Sequence, residues 1–185
     1  MRIGIDIDDV ITDTSASIRK YIEMYENNED IYEHIEAVMR GEMPTENIKR
    51  FYKENSMNIF KDAKLKENAG ETIRELVNDG NEIYLITART NGKFFNGIEQ
   101  LTIDLLKENN IPYTQIIFNS YDKAKICKDN NIDIMIDDSV QHCENVAKEN
   151  IKTIVFTSIV NEKIKTSITR ANNWVELKSK IYQEQ

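Results

Sequence analysis

Five short runs of apolar and β-branched residues, each separated from the next by a helix-like stretch, constrain this chain more than anything else in it. The runs are Arg2–Ile7, Glu82–Ile86, Gln115–Phe118, Ile132–Ile136 and Thr153–Phe156. In the first, Ile3, Ile5 and Ile7 are interrupted by Gly4 and Asp6. Such short, branched, mostly apolar runs suit strands buried on both faces. Between them, Ala69–Asp79 carries Ile73, Leu76 and Val77 at helical spacing and ends at Gly80. Ile98–Asn109, Asp122–Asn130, Ser139–Glu149 and Trp174–Tyr182 read as further helices, with Ser139 and Asn173 as N-caps. Strands alternating with helices predict an α/β fold: a Rossmann-like parallel sheet, right-handed crossovers, and helices on both faces.

One stretch breaks the alternation. Far more residues lie between the first and second strands than a crossover needs. Asp13–Met24, Asp30–Arg40 and Thr45–Phe60 all read as helices, punctuated by Gly41 and Pro44. Thr45 supplies an N-cap without a capping box. Residues 13–66 are therefore expected to form a small helical cap inserted after the first strand, leaving 1–12 and 67–185 as the α/β core. Tyr21, Met24, Tyr25, Phe51, Tyr52, Met57 and Phe60 either pack the insertion's own core or line a lid over a substrate. A chain of 185 residues is long enough for one such domain plus the insertion.

The net charge of −8 disfavours a broad basic face for a DNA duplex. A phosphate ligand would need a local cation. No run approaches the roughly twenty apolar residues of a membrane span. MRIGIDIDDV is too short and too charged for a signal peptide. Cys127 and Cys143 sit in amphipathic helical contexts without metal-ligand spacing and read as reduced core thiols. The compartment expected is a reducing cytoplasm. Oligomeric state is not legible.

The chemistry lies at the strand ends. Asp6-Ile7-Asp8-Asp9-Val10 leaves the first strand, Thr87-Ala88-Arg89 leaves the second, and Asp137-Asp138 follows Ile132–Ile136. Lys123 begins the helix before that last strand. In a parallel sheet all carboxyl ends share one edge, where ligands bind at the topological switch. Crowded carboxylates repel unless a cation neutralises them. Mg²⁺, a hard ion preferring oxygen ligands, fits best. It would screen a carboxylate nucleophile from an anionic phosphate. Asp6 could then attack phosphorus, Asp8 could protonate the leaving oxygen and later activate water, and Thr87 and Lys123 could bind phosphate oxygens. Each residue alone also has a plain structural reading, as loop former, helix cap or surface lysine; the ordered set is what carries the assignment.

Helical phase selects Lys123 over its neighbours. Ile126 and Cys127 lie three and four positions on and share its face, whereas Lys125 and Lys128 point elsewhere. Lys123 is thus predicted near Asp6 or Asp137, with Lys125 in solvent.

IGIDIDDVIT resembles the first motif of the haloacid dehalogenase superfamily, a strand followed by Asp-x-Asp. YLITAR resembles its second motif, Lys123 stands in the place of the third-motif lysine, and IMIDD resembles the acidic fourth motif. The resemblance spans residues 1–12 and 67–150. It implies Asp6 as nucleophile and Asp8 as acid/base. Mg²⁺ would be held by Asp6, the Asp8 backbone carbonyl and Asp137, with Asp138 beside the metal. Thr87, Ala88 and Lys123 would face the substrate phosphate, supported by Arg89. ITAR, IPYTQIIF, DKAKIC leading to IDIMIDDS, and NNWVEL are most similar to the 5′(3′)-deoxyribonucleotidase-like branch, implying a small phosphorylated metabolite, foremost a nucleoside monophosphate. A sugar phosphatase, a mutase or phosphotransferase, and a phosphate-sensing protein on the same fold remain alternatives. Asp8 favours phosphoryl transfer over dehalogenation. The lysine preceding the Asp pair argues against a signalling receiver domain.

Overall fold

The computed structural model describes residues 1–25, 45–92 and 96–183. The helix expected at Asp30–Arg40, with Gly41 and Pro44, lies outside the described residues. The strands are β1 (Arg2–Ile5), β2 (Glu82–Ile86), β3 (Gln115–Ile117), β4 (Ile134–Asp137), β5 (Lys152–Phe156) and β6 (Arg170–Ala171). The described helices are α1 (Thr14–Glu23), α2 (Glu46–Asp62), α3 (Ala69–Asn78), α4 (Ile98–Glu108), α5 (Lys123–Asp129), α6 (Val140–Ala147) and α7 (Trp174–Tyr182). The strands form one parallel sheet in the order β3-β2-β1-β4-β5-β6. Strand order reverses at β1, so the β1/β4 crevice is the switch point.

Both sheet faces are covered, as the apolar runs require. Ile3, Ile5, Leu85, Ile134 and Ile136 pack on one side with Ile73 and Leu76 of α3 and Leu177 and Ile181 of α7. Tyr84, Ile86 and Met135 alternate to the other side, against Cys127 of α5 and Val146 of α6. Gly4 lies where β1 and β4 press together. A Cβ there would sit 2.8 Å from Met135 Sδ and 3.1 Å from Ile86 Cδ1.

Several strand boundaries differ from the sequence reading, those of β1 and β4 for a hydrogen-bonding reason. β1 stops at Ile5 because the Ile7 carbonyl accepts from the Ile11 and Thr12 N–H groups and from Thr12 Oγ1. β4 begins at Ile134 because the Ile132 N–H is spent on Cys127 O; it runs on to Asp137, which pairs with Val155. β6 is only two residues long, too short to carry a periodic pattern.

The chain leaves and re-enters the sheet region at one place. Asp13 N–H donates to Lys64 O and Lys66 N–H to Ile11 O, both at 2.8 Å, around an antiparallel bridge between Thr12 and Leu65. Between these points α1 and α2 pack through Ile22, Phe51 and Ile59. Thr45 caps α2 by accepting from Ile48 N–H. Tyr25 and Tyr52 meet Phe51 edge-on with ring centroids 5.3 Å apart. Tyr21 joins the same cluster, whereas Met24 and Met57 are exposed. No helix among the described residues is long and apolar enough to cross a membrane.

Candidate active site

Asp6 follows β1 directly, and its N–H donates to Ile136 O of β4 at 2.9 Å, holding it beside Asp137. The chain then turns sharply, with Asp9 at φ 56°. Aspartate tolerates that left-handed geometry better than most residues. The Asp9 carboxylate anchors the turn by accepting from the Ser15 N–H and hydroxyl. The Trp174 indole N–H donates to Val10 O at 2.9 Å, tying the same turn to α7.

Lys123 stands between two carboxylates. Its Nζ lies 2.7 Å from Asp6 Oδ1 and 2.6 Å from Asp137 Oδ2, with only 3% of the side chain exposed. Asp122 caps α5 by accepting from Lys125 N–H at 3.0 Å, which fixes where the helix starts and hence where Lys123 points. Lys125 turns to solvent and pairs with Asp129. The helical phase read from the sequence therefore holds.

Asp6, Asp137 and Asp138 each present an oxygen within 4.8 Å of the other two. Burial pushes the Asp6 carboxyl up to about 7, with Asp137 and Asp8 adding repulsion that Lys123 only partly offsets. Burial raises Asp138 well above the usual range, helped by the charges of Asp137 and Asp6. For Asp137, burial raises the carboxyl, but the Lys123 ammonium and the neighbouring His142 together outweigh it and the carboxyl is lowered. Burial likewise opposes the charge on Lys123, but the two carboxylates win and its pKa rises. Three clustered carboxylates facing one ammonium leave an unbalanced negative charge. Their hard oxygen donors fit a small divalent cation.

The Asp8 carboxylate lies outside that group and is gripped by Arg89. Arg89 Nε donates to Asp8 Oδ2 at 3.1 Å and Nη2 to Oδ1 at 2.8 Å. Thr14 Oγ1 donates to Asp8 Oδ1 at 2.6 Å. Burial raises the Asp8 carboxyl, but the Arg89 charge and these hydrogen bonds outweigh it and hold it below the usual carboxylate range. Thr87 is fully buried, and its hydroxyl accepts from the Arg89 N–H at 3.2 Å. Among the described residues it shares no hydrogen bond with the carboxylate cluster.

Beside Asp8 opens a cavity of about 920 Å³, walled by Tyr52, Ser56 and Phe60 of α2 on one side and by Ala88, Arg89 and Ile98 on the other. Burial, then the charges of Asp8 and Asp9, push the Tyr52 phenol up to about 12, so it remains a neutral hydroxyl at the cavity wall.

Sequence reasoning named the carboxylates, Lys123, Thr87 and Arg89. It missed Thr14, whose hydroxyl six residues after Asp8 was a readable signal, and Thr102, which bonds Arg89 only through the tertiary fold. It also missed His142. The Nδ1 atom there lies 3.4 Å from Asp137 Oδ2 without hydrogen-bond alignment, so it is a close neighbour rather than a bonded partner.

Comparison with known proteins agrees with this arrangement. A search of curated proteins finds no match. Among solved structures, a haloacid dehalogenase-like hydrolase from Streptococcus pneumoniae superposes with TM-score 0.66 at 14% identity, covering 97% of each chain. The HAD-hydrolase YfnB from Bacillus subtilis, bound to magnesium, gives 0.67 at 14% identity and covers 98% of each. CbbY from Rhodobacter sphaeroides, in complex with xylulose-(1,5)bisphosphate, gives 0.62 at 12% identity and covers 95% of each. At these identities the likeness speaks for the fold. The family model described as "5' nucleotidase, deoxy (Pyrimidine), cytosolic type C protein" matches residues 1–184. With the parallel sheet and the clustered aspartates at its switch point, that match makes the chain a haloacid dehalogenase-type phosphatase of the deoxy (pyrimidine), cytosolic type C 5' nucleotidase family.

Proposed function

We propose that this protein is a Mg²⁺-dependent phosphomonoester hydrolase working through an aspartyl-phosphate, with nucleoside monophosphates as its foremost substrates. The observation that carries the reading is the pairing of two differently held aspartates. Asp6 is buried against Lys123 and Asp137, while Asp8, two residues on, faces the cavity in the grip of Arg89.

In this reading an Asp6 oxygen attacks phosphorus and the ester P–O bond breaks as Asp8 gives a proton to the leaving oxygen. Water then attacks the aspartyl-phosphate, Asp8 takes the proton, and inorganic phosphate leaves with Asp6 restored. The first step needs Asp8 protonated, against the pull of Arg89. The negative charge of bound phosphate acts in that direction. Thr87 and Ala88 border the phosphate, and Lys123 balances its charge. Asp6, the Asp8 backbone carbonyl and Asp137 would hold the metal, with Asp138 beside it. The metal, when bound, supplies charge neutralisation between the carboxylates and the phosphate. YfnB, bound to magnesium in its crystal, supports the choice of ion.

Residues 13–66 act as a cap in this reading, since α2 provides one wall of the cavity and the two ends of the segment leave the core side by side at the Thr12–Leu65 bridge. Buried free thiols at Cys127 and Cys143 suit a reducing cytoplasm. A sugar phosphate is the second reading, favoured by the bisphosphate bound to CbbY.

The test is phosphate release from a panel of nucleoside monophosphates and sugar phosphates, with Mg²⁺ and with EDTA. Highest kcat/KM on a nucleoside monophosphate, abolished by EDTA, is expected. High activity on a sugar phosphate beside low activity on every nucleotide sinks the nucleotide reading. Full activity in EDTA sinks the metal.

A further inference from the structure

Arg89 is restrained far beyond what neutralising one carboxylate requires. Besides its three bonds to Asp8, Nη1 donates to Thr102 Oγ1 at 3.0 Å, and the Thr102 hydroxyl is itself fixed by donating to Ile98 O at 2.8 Å. Nη2 also reaches Thr12 Oγ1 at 3.4 Å. These bonds fix the guanidinium within its own plane. In-plane hydrogen bonds at the edge of a flat group resist tilting out of that plane less well than they resist sliding within it. The face is held by Phe60, whose ring centroid lies 4.6 Å from Arg89 Cζ.

The source of that ring matters. Asp8, Thr12 and Thr102 belong to the loop after β1 and to α4, whereas Phe60 comes from α2, in the segment 13–66. Phe60 also lines the cavity beside Asp8 and Arg89. One ring thus touches the substrate space and the cation that aims Asp8. An aromatic face attracts a guanidinium and shields it from water; an aliphatic side chain fills the same space without that attraction.

We propose that Phe60 is a positioning residue: by stacking on Arg89 it holds the Asp8 carboxyl in line with the leaving-group oxygen. The proposal rests on the acid/base reading of Asp8 given above. Its signature is dependence on the leaving group. A p-nitrophenolate departs as a stable anion and needs little help, whereas a more basic phenolate needs a well-aimed proton. A purely structural role for Phe60 would slow both alike.

The experiment measures kcat/KM for a series of substituted phenyl phosphates, from p-nitrophenyl to unsubstituted phenyl, in the full-length protein with Mg²⁺. Wild type, Phe60→Leu, Phe60→Tyr and Asp8→Asn are compared. Phe60→Leu should lose about tenfold on phenyl phosphate and less than about twofold on p-nitrophenyl phosphate, a part of the roughly 10²–10⁴-fold a positioned acid supplies. Phe60→Tyr, which keeps the ring, should follow wild type, and Asp8→Asn should show the steepest dependence of all. Phe60→Met serves with the same expectation should Phe60→Leu fold poorly. A uniform loss across the series in Phe60→Leu, or no loss, overturns the proposal while a steep Asp8→Asn series leaves the acid/base reading standing. A flat Asp8→Asn series overturns both.

Discussion

At the scale of single residues, the site is governed by how few cations serve how many carboxylates. Lys123 is buried between Asp6 and Asp137, and Asp138 completes the group. Removing one member of a buried ion pair costs about 3–5 kcal/mol, because the abandoned charge cannot reach water. Lys123→Met is therefore expected to lose that much stability in urea unfolding with EDTA present. Lys125→Met, two positions along and exposed, should stay within about 0.5 kcal/mol of wild type. Equal losses in the two variants would mean that Lys123 is not the buried partner. That choice was readable in advance, because Ile126 and Cys127 fixed the buried face of the helix. The grip of Arg89 on Asp8 was not. It joins residues 81 apart in the chain, and nothing in YLITAR says where the guanidinium ends.

At the scale of elements, β1 depends on what it lacks. Gly4 pairs with Met135 and lies beneath the Ile86 side chain, and an added methyl would meet Met135 Sδ at 2.8 Å and Ile86 Cδ1 at 3.1 Å. Overpacking of this kind costs about 1–3 kcal/mol. Gly4→Ala should lower the thermal midpoint accordingly, and a Gly4→Ala, Met135→Ala double variant should recover part of the crowding while paying for the lost sulfur. A Gly4→Ala midpoint equal to wild type would show that β1 and β4 are less tightly apposed. The larger strands and helices were legible because each carries a periodic or branched pattern of its own. Their ends were not, since Ile7 and Ile132 are apolar enough for a strand but give their backbone groups to turns. For β6 there was no signal to read: Arg170 and Ala171 become a strand only because β5 offers them an edge.

At the scale of the whole molecule, the acidic cluster links stability to pH and to metal. Asp6 titrates near 7 in the folded protein against 3.8 as a free side chain. Between those values the metal-free fold holds a proton that the unfolded chain has released. The stability this contributes is complete at acid pH and is lost as pH rises through about 7. Asp8 and Asp137, shifted downward, contribute in the opposite sense but only in the more acidic range. In EDTA the thermal midpoint should fall from about pH 5 to about pH 8, and added Mg²⁺ should restore it most at the alkaline end, where the carboxylates are already deprotonated. A Mg²⁺ effect that is the same at both ends would show that no proton is exchanged for the ion. The bridge between Thr12 and Leu65 acts at this scale too. It brings the two ends of a long excursion side by side. On the proposed reading of residues 13–66 as a cap, what lies between those two residues can change without re-registering a strand of the sheet, so the preference for one ester over another and the chemistry at the sheet edge are separable in this chain.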